Sequence, residues 1–72
     1  MVFYETMIKK VVSKINEDND IKELSIYDIM FFTDTTQYVV ARTVARGLEQ
    51  KGLLRKQGNK WIITSREYDK EE

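Results

Sequence analysis

Apolar residues in the first part of the chain repeat at intervals of three and four positions, the spacing of one face of an α-helix. The pattern predicts an amphipathic helix over residues 3–16, with Lys9, Lys10 and Lys14 off the apolar stripe. A polar, acidic segment at residues 16–20 ends this helix. The stripe consists of Tyr4, Met7, Ile8, Val11, Val12 and Ile15.

A short second helix is predicted to begin after Ser25. The hydroxyl of Ser25 and the carboxylate of Asp28 are side chains that cap and stabilise a helix N-terminus. The predicted helix covers residues 26–32, and a short extended piece at residues 21–24 precedes it. Both sides of the helix are apolar, so we expect both to be covered. One side contains Ile26, Ile29 and Met30, and the other contains Tyr27 and Phe31.

A turn and a third helix follow. Residues 33–36 are Thr and Asp, whose side-chain oxygens cap helices and form turns. The third helix is predicted over residues 36–51, and Gly52 supplies the left-handed residue that ends it. Its inward face contains Val40, Ala41, Val44, Ala45 and Leu48.

Two extended segments at residues 53–56 and 60–64 predict a β-hairpin, because both are rich in aliphatic and aromatic residues. Gly58 and Asn59 in the connection are expected to provide the positive φ angles that such a loop needs. The alternation along the second strand predicts that Trp61 belongs to the core.

Length and composition indicate one small domain. The 72 residues are 42% hydrophobic and 33% charged, which is typical of a folded protein. We expect the domain to cover residues 1–66 and a polar tail to fray over residues 67–72. No apolar run is long enough to span a membrane and the N-terminus does not resemble a signal peptide, so we expect an intracellular, cytoplasmic protein.

The chain contains neither Cys nor His. This excludes disulfides, thiolate zinc sites, cysteine nucleophiles, and the commonest metal ligand and general base. The carboxylates of Asp28, Asp34 and Glu49 have no recognisable metal-binding or acid–base spacing. We therefore expect no enzyme activity, no cofactor and no metal.

The charges of the chain are unevenly distributed. Twelve basic and twelve acidic residues cancel overall. Residues 35–62, however, contain six basic residues and one acid, Glu49, so this stretch is strongly positive and the remainder is negative. A polarised surface can orient a protein on an anion even at zero net charge.

The order helix, extended piece, helix, turn, helix, hairpin resembles the winged helix-turn-helix family of DNA-binding domains. Residues 44–55, VARGLEQKGLLR, are similar to the end of that family's recognition helix. Gly47 departs from the pattern: it either permits close approach of another backbone or is a tolerated small residue. The resemblance implies an α+β fold with three helices followed by a hairpin wing, and a DNA-binding regulator of transcription. A DNA-binding domain without an effector or catalytic domain acts mainly by occupying a site, so repression is the first expectation. The composition, free of Cys and His and rich in Ile, Val, Lys and Glu, suits an archaeon or an archaeal mobile element.

The third helix has an outward face that suits DNA. If its apolar residues point inward, Tyr38, Arg42 and Arg46 align outward, and Arg can donate two hydrogen bonds to a guanine edge or a phosphate. Arg55, Lys56 and Lys60 flank the hairpin tip, where they either contact phosphates or keep an exposed strand soluble. The expected DNA-contacting residues are Thr36, Gln37, Tyr38, Arg42, Thr43 and Arg46 of the helix and Arg55, Lys56 and Lys60 of the wing, with Val39 facing a thymine methyl group.

Two alternatives concern the partner. A winged helix can also serve as a protein-interaction module, and an acidic partner would suit the same positive stretch. The protein is also expected to form a homodimer, since helix-turn-helix proteins often bind paired half-sites as twofold dimers. The candidate dimer surfaces are residues 2–4 with the first helix, and the edge formed by Tyr27 and Phe31. No membrane and no small-molecule ligand are expected as partners.

Overall fold

A computed structural model describes residues 2–67 of the protein, with side chains from Tyr4 onward. The fold is α+β, with three helices and one antiparallel three-stranded sheet of order β1-β3-β2, and is compatible with the expected winged helix. Among these residues no helix is long and apolar enough to cross a membrane. The elements are α1 (Val2–Glu17), β1 (Glu23–Ser25), α2 (Ile26–Thr33), α3 (Tyr38–Gln50), β2 (Leu54–Gln57) and β3 (Lys60–Ile63).

All predicted helices and strands are present, with ends displaced by one or two residues. The third helix begins at Tyr38 rather than at residue 36, because Gln37 is extended and its N–H is bonded to the hydroxyl of Thr35 at 3.1 Å. The predicted extended piece before α2 is a strand, β1, that pairs with β3. The hairpin is therefore part of a three-stranded sheet.

Ser25 begins α2 as predicted, through a reciprocal pair of hydrogen bonds with Asp28. The Asp28 N–H donates to the Ser25 hydroxyl at 3.3 Å, and the Ser25 N–H donates to the Asp28 carboxylate at 2.8 Å. This capping box satisfies two backbone donors where the chain passes directly from β1 into the helix.

The turn between α2 and α3 depends on Asp34, which adopts the left-handed conformation (φ 59°, ψ 43°). Asp tolerates this conformation better than most residues do. The N–H groups of Asp34 and Thr35 return to the carbonyls of Phe31 and Met30 at 3.2 and 3.0 Å. Inside α2, the buried Thr33 hydroxyl donates to the Ile29 carbonyl at 2.7 Å. The turn therefore needs no glycine.

Gly52 and Gly58 adopt the positive φ angles predicted for two other turns. Gly52 has a φ of 79° and ends α3, with the Leu53 N–H bonded to the Leu48 carbonyl at 3.0 Å. Gly58 has a φ of 67° in the hairpin loop. The expectation that Asn59 would share this role is wrong: its φ is not positive, because a two-residue loop of the type II′ pattern needs only its first residue there.

The core lies between the three helices and one face of the sheet. Trp61 of β3 and most of the α1 stripe and of the inward face of α3 are buried as predicted, whereas Tyr4, Met7 and Val40 are half-buried. A Cβ atom added to Gly47 would lie 2.8 Å from Cδ1 of Ile8. Gly47 thus permits a close approach, but the neighbour is a side chain of α1 rather than a backbone.

The second apolar side of α2 is not covered within the described residues, so the expectation that both sides would be covered is wrong for the single chain. Tyr27 is 73% exposed and Phe31 is 80% exposed. The helix has only eight residues, and its opposite side, with Ile26, Ile29 and Thr33, makes the contacts with the core.

Arg66, the last residue of the predicted domain, forms hydrogen bonds with residues at the end of α1 and in the loop that follows it. Arg66 donates hydrogen bonds to the carbonyls of Ile15 and Ile21, and its own carbonyl accepts one from the Asn16 side chain at 3.2 Å. Arg66 thereby satisfies one C-terminal carbonyl of α1, that of Ile15, and also binds the loop before β1. Of the predicted polar tail, residues 68–72 lie outside the described residues.

The contact between Ile8 and Gly47 can be tested with a double-mutant cycle. Gly47→Ala is expected to leave the free energy of unfolding nearly unchanged, because the displacement of the terminal Cδ1 methyl of Ile8 offsets the gain of about 1 kcal/mol in helix propensity. In an Ile8→Val background, which lacks Cδ1, the same substitution is expected to be stabilising. Urea denaturation measures both effects; equal effects in the two backgrounds would contradict the contact.

Candidate nucleic-acid interface

An open groove of about 560 Å³ lies between α3, the β2–β3 hairpin and the start of α2. It brings together residues that are distant in sequence and that include four cationic side chains and two tyrosines. Its lining consists of Ser25, Ile26, Tyr27, Tyr38, Arg42, Arg46, Glu49, Lys56, Asn59, Lys60 and Trp61.

The α3 wall of the groove contains Tyr38, Arg42 and Arg46, as predicted. All three are exposed, since Ala41, Val44, Ala45 and Leu48 occupy the buried face of the helix. The guanidinium carbon of Arg42 lies 5.7 Å from the centroid of the Tyr38 ring, within cation–π range. This contact favours an Arg42 side chain that lies along the helix and remains accessible from the groove.

The hairpin separates its predicted cations onto two faces. Lys56 pairs with Trp61 across the strands, and its ammonium lies 5.3 Å from the centroid of the indole, on the groove side. Arg55 pairs with Ile62 instead. Because successive strand residues point to opposite faces, Arg55 faces away from Lys56 and does not line the groove.

Lys60 contributes to the lining of the groove, but its ammonium has an ion-pair partner elsewhere. It lies 3.3 Å from the carboxylate of Glu23 on the neighbouring strand β1. Both side chains are about half exposed, so the pair contributes little to stability and can open at low cost.

The remaining predicted contacts lie around α3. Thr36 and Gln37 are exposed in the turn before the helix rather than in its first turn. Thr43 and Val39 are exposed on α3 next to the groove but do not line it. The Thr43 hydroxyl donates to the Val39 carbonyl at 3.0 Å, which leaves its lone pairs available to accept a further hydrogen bond.

Glu49 is the most important residue that sequence reasoning missed. Its carboxylate accepts a hydrogen bond of 2.6 Å from the indole N–H of Trp61, which joins the central strand of the sheet to α3. A signal was present: a buried indole N–H needs an acceptor, and Glu49 is the one acid among residues 35–62.

Sequence reasoning also assigned no DNA contact to Ser25, Tyr27 or Asn59, which line the groove. Nothing in the pattern along the chain shows that the start of α2 faces the hairpin, because that depends on how the helices pack. Among residues 2–67, no three acids lie close enough together to form a candidate metal site.

No known protein-family model matches this chain, and no curated protein or solved structure is significantly similar to it.

The hydrogen bond between Trp61 and Glu49 can be measured with a second double-mutant cycle. Trp61→Phe removes the donor and is expected to lower the free energy of unfolding by at least about 1–2 kcal/mol. Because Glu49→Ala removes the acceptor, the double variant should be less destabilised than the sum of the single variants. Urea denaturation followed by circular dichroism gives the coupling, and additive losses would mean that the hydrogen bond contributes nothing.

Proposed function

We propose that the protein is a winged helix-turn-helix domain that binds double-stranded DNA and regulates transcription. In this proposal α3 enters the major groove and the β2–β3 hairpin is the wing, which lies on the backbone or in the minor groove. Occupation of a site by so small a domain favours repression by occlusion. The function requires the protein to be where the DNA is, in the cytoplasm.

One observation supports this proposal above the others: arginines of α3 and lysines of the hairpin line the same groove. Arg42 and Arg46 come from the helix, and Lys56 and Lys60 come from the hairpin tip. The fold thus brings four of the six basic residues of residues 35–62 into one groove, although the net charge of the chain is zero. Several cations on one surface favour binding to the phosphates of nucleic acid.

The α3 wall of the groove contains arginines and the hairpin wall contains lysines, which favours different roles for the two walls in DNA binding. Arg42 and Arg46 lie on a helix, and a helix fits the major groove, where Arg makes bidentate contacts with guanine. Lys56 lies on the hairpin and provides a point charge suited to phosphate. We therefore assign selection of sequence to α3 and positioning to the wing.

A protein-interaction module with an acidic partner is the second candidate. It is favoured by the exposed aromatic rings of Tyr27 and Phe31, because Tyr27 also lines the cationic groove. An acidic segment with apolar side chains would match both features. Salt-dependent binding to duplex DNA decides between the two candidates, and if the wild type binds no duplex at any salt concentration, the second replaces the first.

Binding titrations of the arginine variants test the role of α3. Arg42→Ala and Arg46→Ala are expected to weaken DNA binding, and at least one should relax the preference among base pairs, by about 1–3 kcal/mol at the position contacted. Lys10→Ala serves as the control, since it removes an exposed cation of α1 outside the groove. An equal loss for Lys10→Ala would contradict the proposed interface.

The hairpin provides a matched pair of variants for the same titrations. Lys56→Ala is expected to weaken binding to all duplexes and to flatten the dependence of log K on log salt by about 0.9. Arg55→Ala removes a charge from the adjacent residue on the other face, and should have a smaller effect on both quantities. A larger effect of Arg55→Ala would mean that the outer face of the hairpin meets DNA.

We also propose that the protein self-associates, as binding to paired half-sites would require. The exposed Phe31 is the proposed centre of the contact; the side chains of Val2 and Phe3, the other candidate surface, lie outside the described ones. Sedimentation velocity at micromolar concentration should detect a dimer that Phe31→Ser abolishes. A wild-type protein that remains monomeric, free and on DNA, would contradict self-association.

A further inference from the structure

Glu49 is an acidic residue inside a groove that is otherwise cationic. Its carboxylate is fixed by the 2.6 Å hydrogen bond from the Trp61 indole. Because the indole N–H is a neutral donor, this bond holds the carboxylate in place without neutralising its charge. A fixed negative charge therefore faces the space in which the proposed function places an anion.

The depth of Glu49 in the groove differs from that of the cations. Glu49 is half-buried, whereas Arg42, Arg46 and Lys56 are exposed. Trp61, to which it is bonded, is only 6% exposed and forms part of the groove lining. The carboxylate thus lies at the base of the groove, and the cationic groups lie along its walls.

We propose that Glu49 is a specificity-determining residue, an inference that rests on the proposed DNA binding. Its charge repels phosphate from the base of the groove, so a duplex held only by its backbone binds less tightly than the cations alone would allow. The charge of Glu49 disfavours contacts with base edges less, because the amino groups of bases can donate hydrogen bonds to a carboxylate. Glu49 thereby favours complexes in which α3 contacts bases over complexes held by phosphates.

The expected size of the effect follows from the interaction of two like charges. At a separation of about 4 Å in water, such a repulsion changes an equilibrium constant roughly fivefold, and partial burial increases it. Salt screens the repulsion over a Debye length of about 10 Å at 0.1 M, so only a charge within or beside the groove contributes fully.

The test compares Glu49→Gln with the wild type on two probes: a pool of random-sequence duplexes, and a duplex that the wild type selects from that pool. The Gln side-chain oxygen can still accept the indole hydrogen bond, whereas the charge is lost. Affinity for the pool is expected to rise roughly three- to tenfold, and affinity for the selected duplex to rise less. The ratio of the two affinities should therefore fall.

Three further measurements separate charge from structure. The emission of Trp61, the single tryptophan, should be unchanged in Glu49→Gln if the hairpin remains in place. Trp61→Phe releases Glu49 but retains its charge, so it should not tighten binding to the pool. Glu17→Gln, an equal change of charge on exposed α1 outside the groove, should leave the ratio of affinities unchanged.

The possible failures are distinguishable. If the wild type binds the selected duplex but Glu49→Gln binds the pool no more tightly, the role of Glu49 is wrong and the proposed function stands. If Trp61→Phe tightens pool binding as much as Glu49→Gln does, the effect comes from a displaced hairpin, and the inference is again wrong. If the wild type binds no duplex, the proposed function itself fails.

Discussion

The hydrogen bond between Trp61 and Glu49 joins the central strand of the sheet to α3, beside the groove that lies between the hairpin and this helix. Trp61 is in the central strand, where it pairs with Leu24 on one side and with Lys56 on the other. Its indole therefore connects every strand of the sheet to one helix. This connection lies next to the arginines of α3 and the lysine of the hairpin, which line the same groove.

Polar residues form most of the connections between helices and strands in this small fold. The sequence contains no proline. A capping box begins α2, Asp34 is the left-handed residue before α3, and Arg66 binds the Ile15 carbonyl near the end of α1. Each of these interactions satisfies backbone groups that water would otherwise have to reach. A chain with so little apolar surface to bury gains from every such connection, since the margin of stability in a domain of this size is small.

The elements that depend on local periodicity could be predicted from the sequence, and the relations between elements could not. The α1 stripe, the capping residues Ser25 and Asp28, and the outward position of Arg42 follow from spacing alone. Which face of the hairpin meets α3 is a tertiary question: alternation separates Lys56 from Arg55 but does not say which one faces the helix. The hydrogen-bond acceptors of Arg66 could not be predicted either, because these carbonyls lie some fifty residues earlier in the chain.

The central position of β3 has a consequence for the energetics of recognition. A hairpin that protrudes on its own would have to become ordered when it meets a ligand, whereas this one is already held by β1 on its other edge and by the indole beneath it. Little conformational entropy then remains to be lost on association, and the groove is preorganised. If the ligand is a duplex, as proposed, the DNA rather than the protein has to change shape on binding. Sequences that deform easily are then bound more tightly, even where the deformable base pairs are not contacted by the protein.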